Sequence, residues 1–379
     1  MVYRPNTMIA KSKEINLTHD QNIKSFKFDG FLFITISLTC LMGIFILYSA
    51  SNESTDVLIR QIYRIIIAFV AMIIVAQVPT EILRKLSPWS YLGGILLLSL
   101  VLWLGESGQG AQRWLNIGIR FQPSEIMKLA VPMIVAWYLH EKRLPPNLKE
   151  LIFILIVIAI PSFLIAKQPD LGTSILVMAA GLLVLFLSGI SFRYIVSLGL
   201  LAIPSSFFLW KFMKDYQRQR VLTLLNPDSD PLGAGYNIIQ SKIAMGSGGM
   251  FGKGWKNGSQ VQLEFLPEKN TDFIFAVIGE EFGLLGVLTI LFLYLIIIGR
   301  GLVIATQASD LYGRLLAGSL SLTFFFYVFV NTAMVVGLMP IVGIPLPLVS
   351  YGGTSMVTLM VGFGMLMSIN SNRKLVAKK

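Results

Sequence analysis

Cysteine, histidine and charge are all scarce in this chain. Its one cysteine, Cys40, lies inside an apolar run, so neither an internal disulfide nor a thiolate metal cluster can form. The two histidines, His19 and His140, stand in polar segments without a plausible partner, which sets aside imidazole catalysis and histidine metal sites. Charged residues are 13% of the 379 positions against 55% hydrophobic ones, and the mean hydropathy of +0.71 lies far outside the range of soluble domains. The formal charge of +11 does not call for nucleic acid, because membrane proteins accumulate Lys and Arg on cytoplasmic loops. A phosphate loop is also missing: in GSGGMFGKGW, Ser247 holds the first glycine position and Gly254 the final Ser/Thr position. The polar start of the chain lacks the small-residue cleavage site of a signal peptide, so the first apolar run, from about Phe31, is expected to stay as an anchor.

Long apolar runs are what the chain has in abundance. Ten of them, near 31–49, 60–78, 88–105, 122–139, 150–166, 171–190, 193–210, 273–299, 312–337 and 352–370, approach or reach spanning length. The expected fold is all-α, a polytopic membrane protein with ten transmembrane helices. The second run, with Arg60 and Arg64 at its start, and the fourth, whose uncharged part is short, are expected to lie partly against protein. Lys and Arg gather at one set of ends, including Arg84, Lys85, Lys142, Arg143, Lys149, Arg193, Arg300, Arg314 and both tails, which makes that side cytoplasmic. Residues 1–29 then form a cytoplasmic tail, 30–372 one transmembrane domain and 373–379 a second cytoplasmic tail. The one long connection, about 211–271, falls outside, between helices 7 and 8. Within it YNIIQSKIAM reads as a short amphipathic helix. GSGGMFGKGW reads as a turn back toward the membrane surface, or as backbone N–H groups that cradle an anion.

RFQPSEIMKLAVP at 120–132 and KQPDLGTSILV at 167–177 each place Gln-Pro and then an acid at the outer start of a run. Proline suits a first helical turn and a carboxylate favours the positive end of the helix dipole, so Glu125 and Asp170 read as helix-start residues. Their location offers a second reading, since ionisable groups at a span's edge face a wet cavity or a partner. Lys128 follows Glu125 by three residues on the same helical face and can pair with it. Asp272 opens the eighth run in the same sense, and the three acids together point to one shared outer cavity. Glu280 and Glu281 lie roughly 12 Å farther along and are expected to be structurally paired or neutral. Arg218 and Arg220 in DYQRQRV suit phosphate or lipid headgroups equally, and Arg113 and Arg120 could supplement them.

PIVGIPLPLVSYGGTS at 340–355 resembles the signature of the SEDS family of RodA- and FtsW-like membrane proteins. GAQRWLNIGIRFQPSEIMKLAVP, QPDLGTSILV, DYQRQRV, NPDSDPLGAGYNIIQSKIAMGSGGMFGKGW and QLEFLPEKNTDFIFAVIGEEFG extend the likeness over most of the chain, nearest to the family's elongation branch. The resemblance implies ten membrane helices in the bacterial inner membrane and a peptidoglycan glycosyltransferase that polymerises lipid II into β-1,4-linked glycan during elongation. Undecaprenyl pyrophosphate would leave, and a class B penicillin-binding protein would supply the transpeptidase. It carries the catalytic aspartate onto Asp272, and supporting cavity residues onto Glu125, Lys128 and Asp170. Arg218 and Arg220, with Arg113, Lys128 and Lys242 behind them, become candidates for the leaving pyrophosphate. A divalent cation, magnesium or manganese, is compatible with the reaction, without a dedicated site in the sequence. Two other functions stay open: a transporter that flips lipid-linked precursor, and a noncatalytic scaffold for the transpeptidase. Charges at the outer edge and the lack of an inverted repeat weigh against the transporter.

Overall fold

The structure, a computed structural model, describes residues 27–371 except 109–110, 117–119, 214 and 231–232; residues 1–26 and 372–379 of the expected tails lie outside the described residues. In chain order the helices are α1 (Gly30–Ala50), α2 (Thr55–Gln77), α3 (Thr80–Leu104), α4 (Pro123–His140), α5 (Leu148–Lys167), α6 (Leu171–Leu187) and α7 (Phe192–Phe212). They continue as α8 (Asp215–Leu225), α9 (Ala234–Ser247), α10 (Ser259–Gln262), α11 (Ile274–Gln307), α12 (Leu311–Val335) and α13 (Thr354–Ser371). Every expected run is a helix, and among the described residues seven, α1, α2, α3, α5, α11, α12 and α13, are long and apolar enough to cross a membrane. α6 is a shorter apolar helix. YNIIQSKIAM lies in α9, as its pattern predicts.

The helix ends carry local reasons. Asp29 caps α1 by accepting the Leu32 N–H, and Asn147 with Glu150 closes a reciprocal capping box at α5. Pro123 starts α4, where its missing N–H costs no helical hydrogen bond. Two features depart from expectation. The 106–121 connection folds as a small antiparallel sheet, β1 (Glu106–Gly108), β2 (Ala111–Asn116) and β3 (Arg120–Phe121) in the order β1-β2-β3, so the fold is helical with one minor sheet that satisfies its own backbone. α4 is buried along most of its length and α2 lies partly against protein, as expected of both. α2 buries a narrow stripe, Gln61, Ile65, Ala68, Met72 and Ala76, with α13 as its main neighbour, and leaves Tyr63, Ile66, Ile67 and Ile74 exposed. His140 does have a partner, since its Nε2 accepts from Arg84 at 2.5 Å.

The long helix α11 is not one crossing. At about 1.5 Å per residue its 34 residues would reach about 51 Å, more than a bilayer core needs. It breaks at Gly283, whose φ of 63° and ψ of −159° are accessible to glycine and strained for other residues. At one end of the bundle Arg300 donates from Nε and Nη2 to one oxygen of Asp29, Oδ2, which also receives the Asn370 amide. At the other end Ser49, in the last turn of α1, donates to Glu281. From Leu284, just past the break, to Arg300 is sixteen residues, about 24 Å of helix and near one hydrocarbon thickness. Residues 274–282 therefore form an arm at the far end, which also carries the α1–α2, α3–α4, α5–α6 and α12–α13 connections and is here called the loop face. The opposite end is the tail face.

A Cβ at position 283 would fall 2.3 Å from the Gly252 nitrogen and 2.7 Å from the Met250 carbonyl oxygen. Gly283→Ala is expected to destabilise the protein by about 1–3 kcal/mol or more. Gly299→Ala, which meets nothing within 4 Å, should leave stability unchanged. Thermal unfolding in detergent compares the two, and equal midpoints would refute a strained break.

Candidate functional site

Asp272 sits in the turn that precedes α11, and three contacts seat its backbone on the segment 340–351. Asn331, fully buried in α12, donates from Nδ2 to the Asp272 carbonyl at 2.8 Å and to the Ile344 carbonyl at 2.7 Å. Ser350 Oγ donates to the Thr271 carbonyl, and the Tyr351 N–H donates to Asn270 at 2.9 Å. The carboxylate faces Gly343, where an added Cβ would lie 3.6 Å from Oδ2. Burial, reinforced by the Glu268 carboxylate and opposed by Arg220, pushes the Asp272 carboxyl up to about 6.

Glu125 and Lys128 pair as their spacing predicts, at 2.7 Å, with both residues buried. The Lys128 ammonium also stands 5.1 Å from the centroid of the Tyr327 ring. Glu125, Lys128, Tyr327 and Ser350 line a groove that continues between α12 and α13 to Leu320 and Leu366. Neither Asp272 nor Asp170 lines it. The acids are joined instead by the segment that borders them. A Cβ at Gly172 would fall 2.4 Å from Val342 Cγ1, so glycine lets the start of α6 reach the residue beside Gly343. Pro345 to Leu348 of the same segment form one wall of the groove.

Asp170 caps α6 through the Thr173 N–H, which is the helix-start role its position suggests. It is also held by Gln122 at 3.1 Å and by Arg113 at 3.7 Å, so the two Gln-Pro-acid segments meet in space. Arg113 donates as well to the Pro169 carbonyl.

The candidate cations are dispersed. Arg220 lies within electrostatic reach of Asp272. Arg218 donates to the carbonyls of Trp210 and Lys211 and so closes the end of α7. Lys242 lies over Gly337, just past the end of α12, where an added Cβ would sit 2.7 Å from its Nζ. The Arg120 side chain lies outside the described residues. Among the described residues no three His, Cys, Asp or Glu side chains converge as metal ligands.

Glu280 and Glu281 are buried, Glu280 partnered by the connection 248–273 and Glu281 by Ser49 of α1, a partner helix as expected. Glu280 Oε1 accepts from Lys253 at 2.7 Å, from the Gln260 N–H at 3.0 Å and from Ser259 at 3.2 Å. The N–H groups of Lys253 and Gly254 reach the carbonyls of Glu280 and Glu281, and those of Leu284 and Leu285 return to Gly249 and Met250. Within GSGGMFGKGW the backbone N–H groups of Lys253 and Gly254 go to carbonyls, and the N–H on the Glu280 carboxylate is that of Gln260, outside that motif, so the glycine-rich stretch acts as a turn packed on α11. Trp255 stacks on Phe45 with centroids 4.6 Å apart, which fastens this connection to α1.

Asn331, Ser350, Gln61, Arg64 and Tyr327 are site residues that the sequence reading passed over. Gln61 donates to the Ser350 carbonyl at 3.2 Å, and the Arg64 guanidinium lies 4.4 Å from the Tyr351 ring centroid. A polar amide such as Asn331 within an apolar run is itself a signal of buried pairing.

Comparison with known proteins gives this geometry a family. The cell cycle protein family FtsW/RodA/SpoVE matches residues 29–375. The peptidoglycan glycosyltransferase MrdB of Escherichia coli K12 is 50% identical over 96% of this chain and 100% of its own. A probable peptidoglycan glycosyltransferase FtsW of Geobacter metallireducens is 35% identical over 95% and 99% of the two chains. A solved chain described under structural coordination of polymerization and crosslinking by a peptidoglycan synthase complex is 31% identical, with a TM-score of 0.81 over 92% of this chain and 99% of that one. The rod shape determining protein RodA of Thermus thermophilus is 26% identical, with a TM-score of 0.70 over 92% and 98%. The Asp272 seat, the segment 340–351 that forms it and the helical frame around both thus belong to a chain of the FtsW/RodA/SpoVE, or SEDS, family.

Proposed function

We propose that this chain is a peptidoglycan glycosyltransferase that polymerises lipid II at the outer face of the bacterial inner membrane. Residues 30–372 form one domain with ten crossings, both termini are cytoplasmic, and the loop face is the outer face. The partner is a class B penicillin-binding protein of the elongation machinery, in line with the similarity to a peptidoglycan synthase complex. The observation that carries the reading is Asp272, seated by Asn331 and Ser350 with a carboxyl near 6 and an arginine within reach. A base poised near the working pH takes up a proton readily and is still mostly ionised.

In the reaction Asp272 takes the proton of the acceptor's 4-hydroxyl as that oxygen attacks the donor's anomeric carbon. The bond from that carbon to the pyrophosphate oxygen breaks, undecaprenyl pyrophosphate departs, and the α-linked donor becomes a β-1,4 link. Arg220 and Lys128 meet the charge that develops on the leaving group. Glu125 holds Lys128, and Arg113 orders Asp170. Arg218 and Lys242 form a second tier of pyrophosphate contacts, reached when they leave the helix ends they now cover. The apolar groove below Lys128 takes polyprenyl chain.

With labelled lipid II and detergent-solubilised protein, Asp272→Ala should lower polymer yield by at least about 100-fold. An unchanged yield would sink the assignment and leave a flippase or scaffold, because detergent offers no second compartment to flip into. The base must be ionised to act, so the rate should rise with pH through about 6 and level off above it. Arg220 favours the ionised form, and Arg220→Gln should therefore move the inflection to higher pH; a shift the other way contradicts the assignment. Lys128→Met leaves Glu125 buried and unpaired and should cost about 3–5 kcal/mol of stability. The double variant Glu125→Gln/Lys128→Met should regain most of that in thermal unfolding without regaining polymer. Polymer that returns together with stability would reduce the pair to a structural role.

A further inference from the structure

A second cavity, of about 210 Å³, lies between α3, α4 and α5 and takes no part in the proposed reaction. Its floor is the buried trio Ile134, Val135 and Ile154, and its rim is the exposed trio Leu92, Trp137 and Phe153, so it opens sideways from the bundle. No charged side chain lines it. The Tyr91 hydroxyl in its wall is already engaged, donating to the Val157 carbonyl at 2.8 Å. The wall therefore favours an apolar guest.

The cavity has a defined depth. Tyr138 is two residues from the tail-face end of α4 and Phe153 five from the tail-face start of α5. Leu92, Ile134 and Val157 lie roughly 9–18 Å from the tail-face ends of their helices. An extended acyl chain entering at headgroup level would run along this line. Pro88 sits in the wall within α3, where it removes a helical hydrogen bond to the Arg84 carbonyl and loosens the helix beside the opening.

The mouth carries positive charge. Lys142 lies 5.3 Å from the Tyr138 ring centroid, directly at the rim. Arg84 is held against His140, one residue past Leu139 in the same helix end. Lys85 in the first turns of α3, Arg143 on the α4–α5 connection and Lys149 at the start of α5 stand at the same end, against the acids Glu81, Glu141 and Glu150. Glu150 is occupied in the capping box of α5, so the balance at the mouth is cationic. Trp137 and Tyr138 add amphipathic rings of the kind that sit at headgroup level.

From these observations we infer that the α3–α4–α5 cavity is a binding site for an anionic glycerophospholipid, with one acyl chain in the cavity and the phosphate at Lys142 and Arg84. The inference rests on the membrane reading alone and is independent of the role of Asp272. A bound lipid here would brace α4, the helix that carries Glu125 and Lys128 at its other end.

Native mass spectrometry of the purified protein, released from detergent containing equal amounts of phosphatidylglycerol, phosphatidylcholine and undecaprenyl phosphate, tests it. Phosphatidylglycerol should be retained at least about fivefold over phosphatidylcholine, the ratio that one lysine at a membrane surface supports. Lys142→Glu should lower that retention at least about fivefold by the same reasoning. Val157→Trp, which fills the cavity, should lower it for both glycerophospholipids. If Val157→Trp does not fold, the exposed Lys142→Glu decides alone. Equal retention of the two glycerophospholipids, preference for undecaprenyl phosphate, or wild-type retention in Lys142→Glu would each overturn the proposal.

Discussion

The amide of Asn331 stands where two stretches of non-helical backbone enter the bundle, and its Nδ2 donates to one carbonyl of each, at Asp272 and at Ile344. A carbonyl buried among protein groups has no water to satisfy it, so irregular backbone packed into the bundle end persists only where protein groups pair it. Asn331 provides that pairing, and Ser350 and the Tyr351 N–H extend it to Thr271 and Asn270. The turn that presents Asp272, the segment that walls the groove and the approach of α6 through Gly172 all rest on this joint.

Charge is distributed around the joint by burial and pairing. Asp272 is half-buried, and burial with Glu268 near raises its carboxyl while Arg220 limits the rise. Glu125 and Lys128 neutralise each other in the groove wall. Glu280 is held by Lys253 from the connection 248–273, at the distal end of the arm that begins beside Asp272. Each buried acid thus has a separate solution to the cost of desolvation, which lets several coexist at one end of the molecule.

Much of the frame was legible from the apolar runs, since membrane helices satisfy their own backbone and declare themselves by length and composition. The Glu125–Lys128 pair and the burial of α4 were equally local properties. The break at Gly283 was not, because GEEFGLLG reads as continuous helix until the connection 249–254 lies against it. The partner of Glu280 was hidden for the same reason, as Lys253 comes from 27 residues earlier in another element. Arg64 looked like an intrusion into a span, yet it lies over the ring of Tyr351, nearly 290 residues later. α2 lies partly against protein, as its two arginines suggested, but that α13 is the helix it packs on was decided by the fold.

The sequence by itself determined the helical membrane architecture, the family signature at 340–355 and the candidate identity of Asp272, Glu125, Lys128 and Asp170, because these depend on residue type and short spacing. Only the tertiary structure decided which of them meet. Asp170 joined Gln122 and Arg113, Arg220 came within reach of Asp272, and Arg218 and Lys242 went to helix ends. The physical reason is that a buried charge or carbonyl must find its partner wherever the packing brings one, and packing joins residues whose separation along the chain carries no information about their contact.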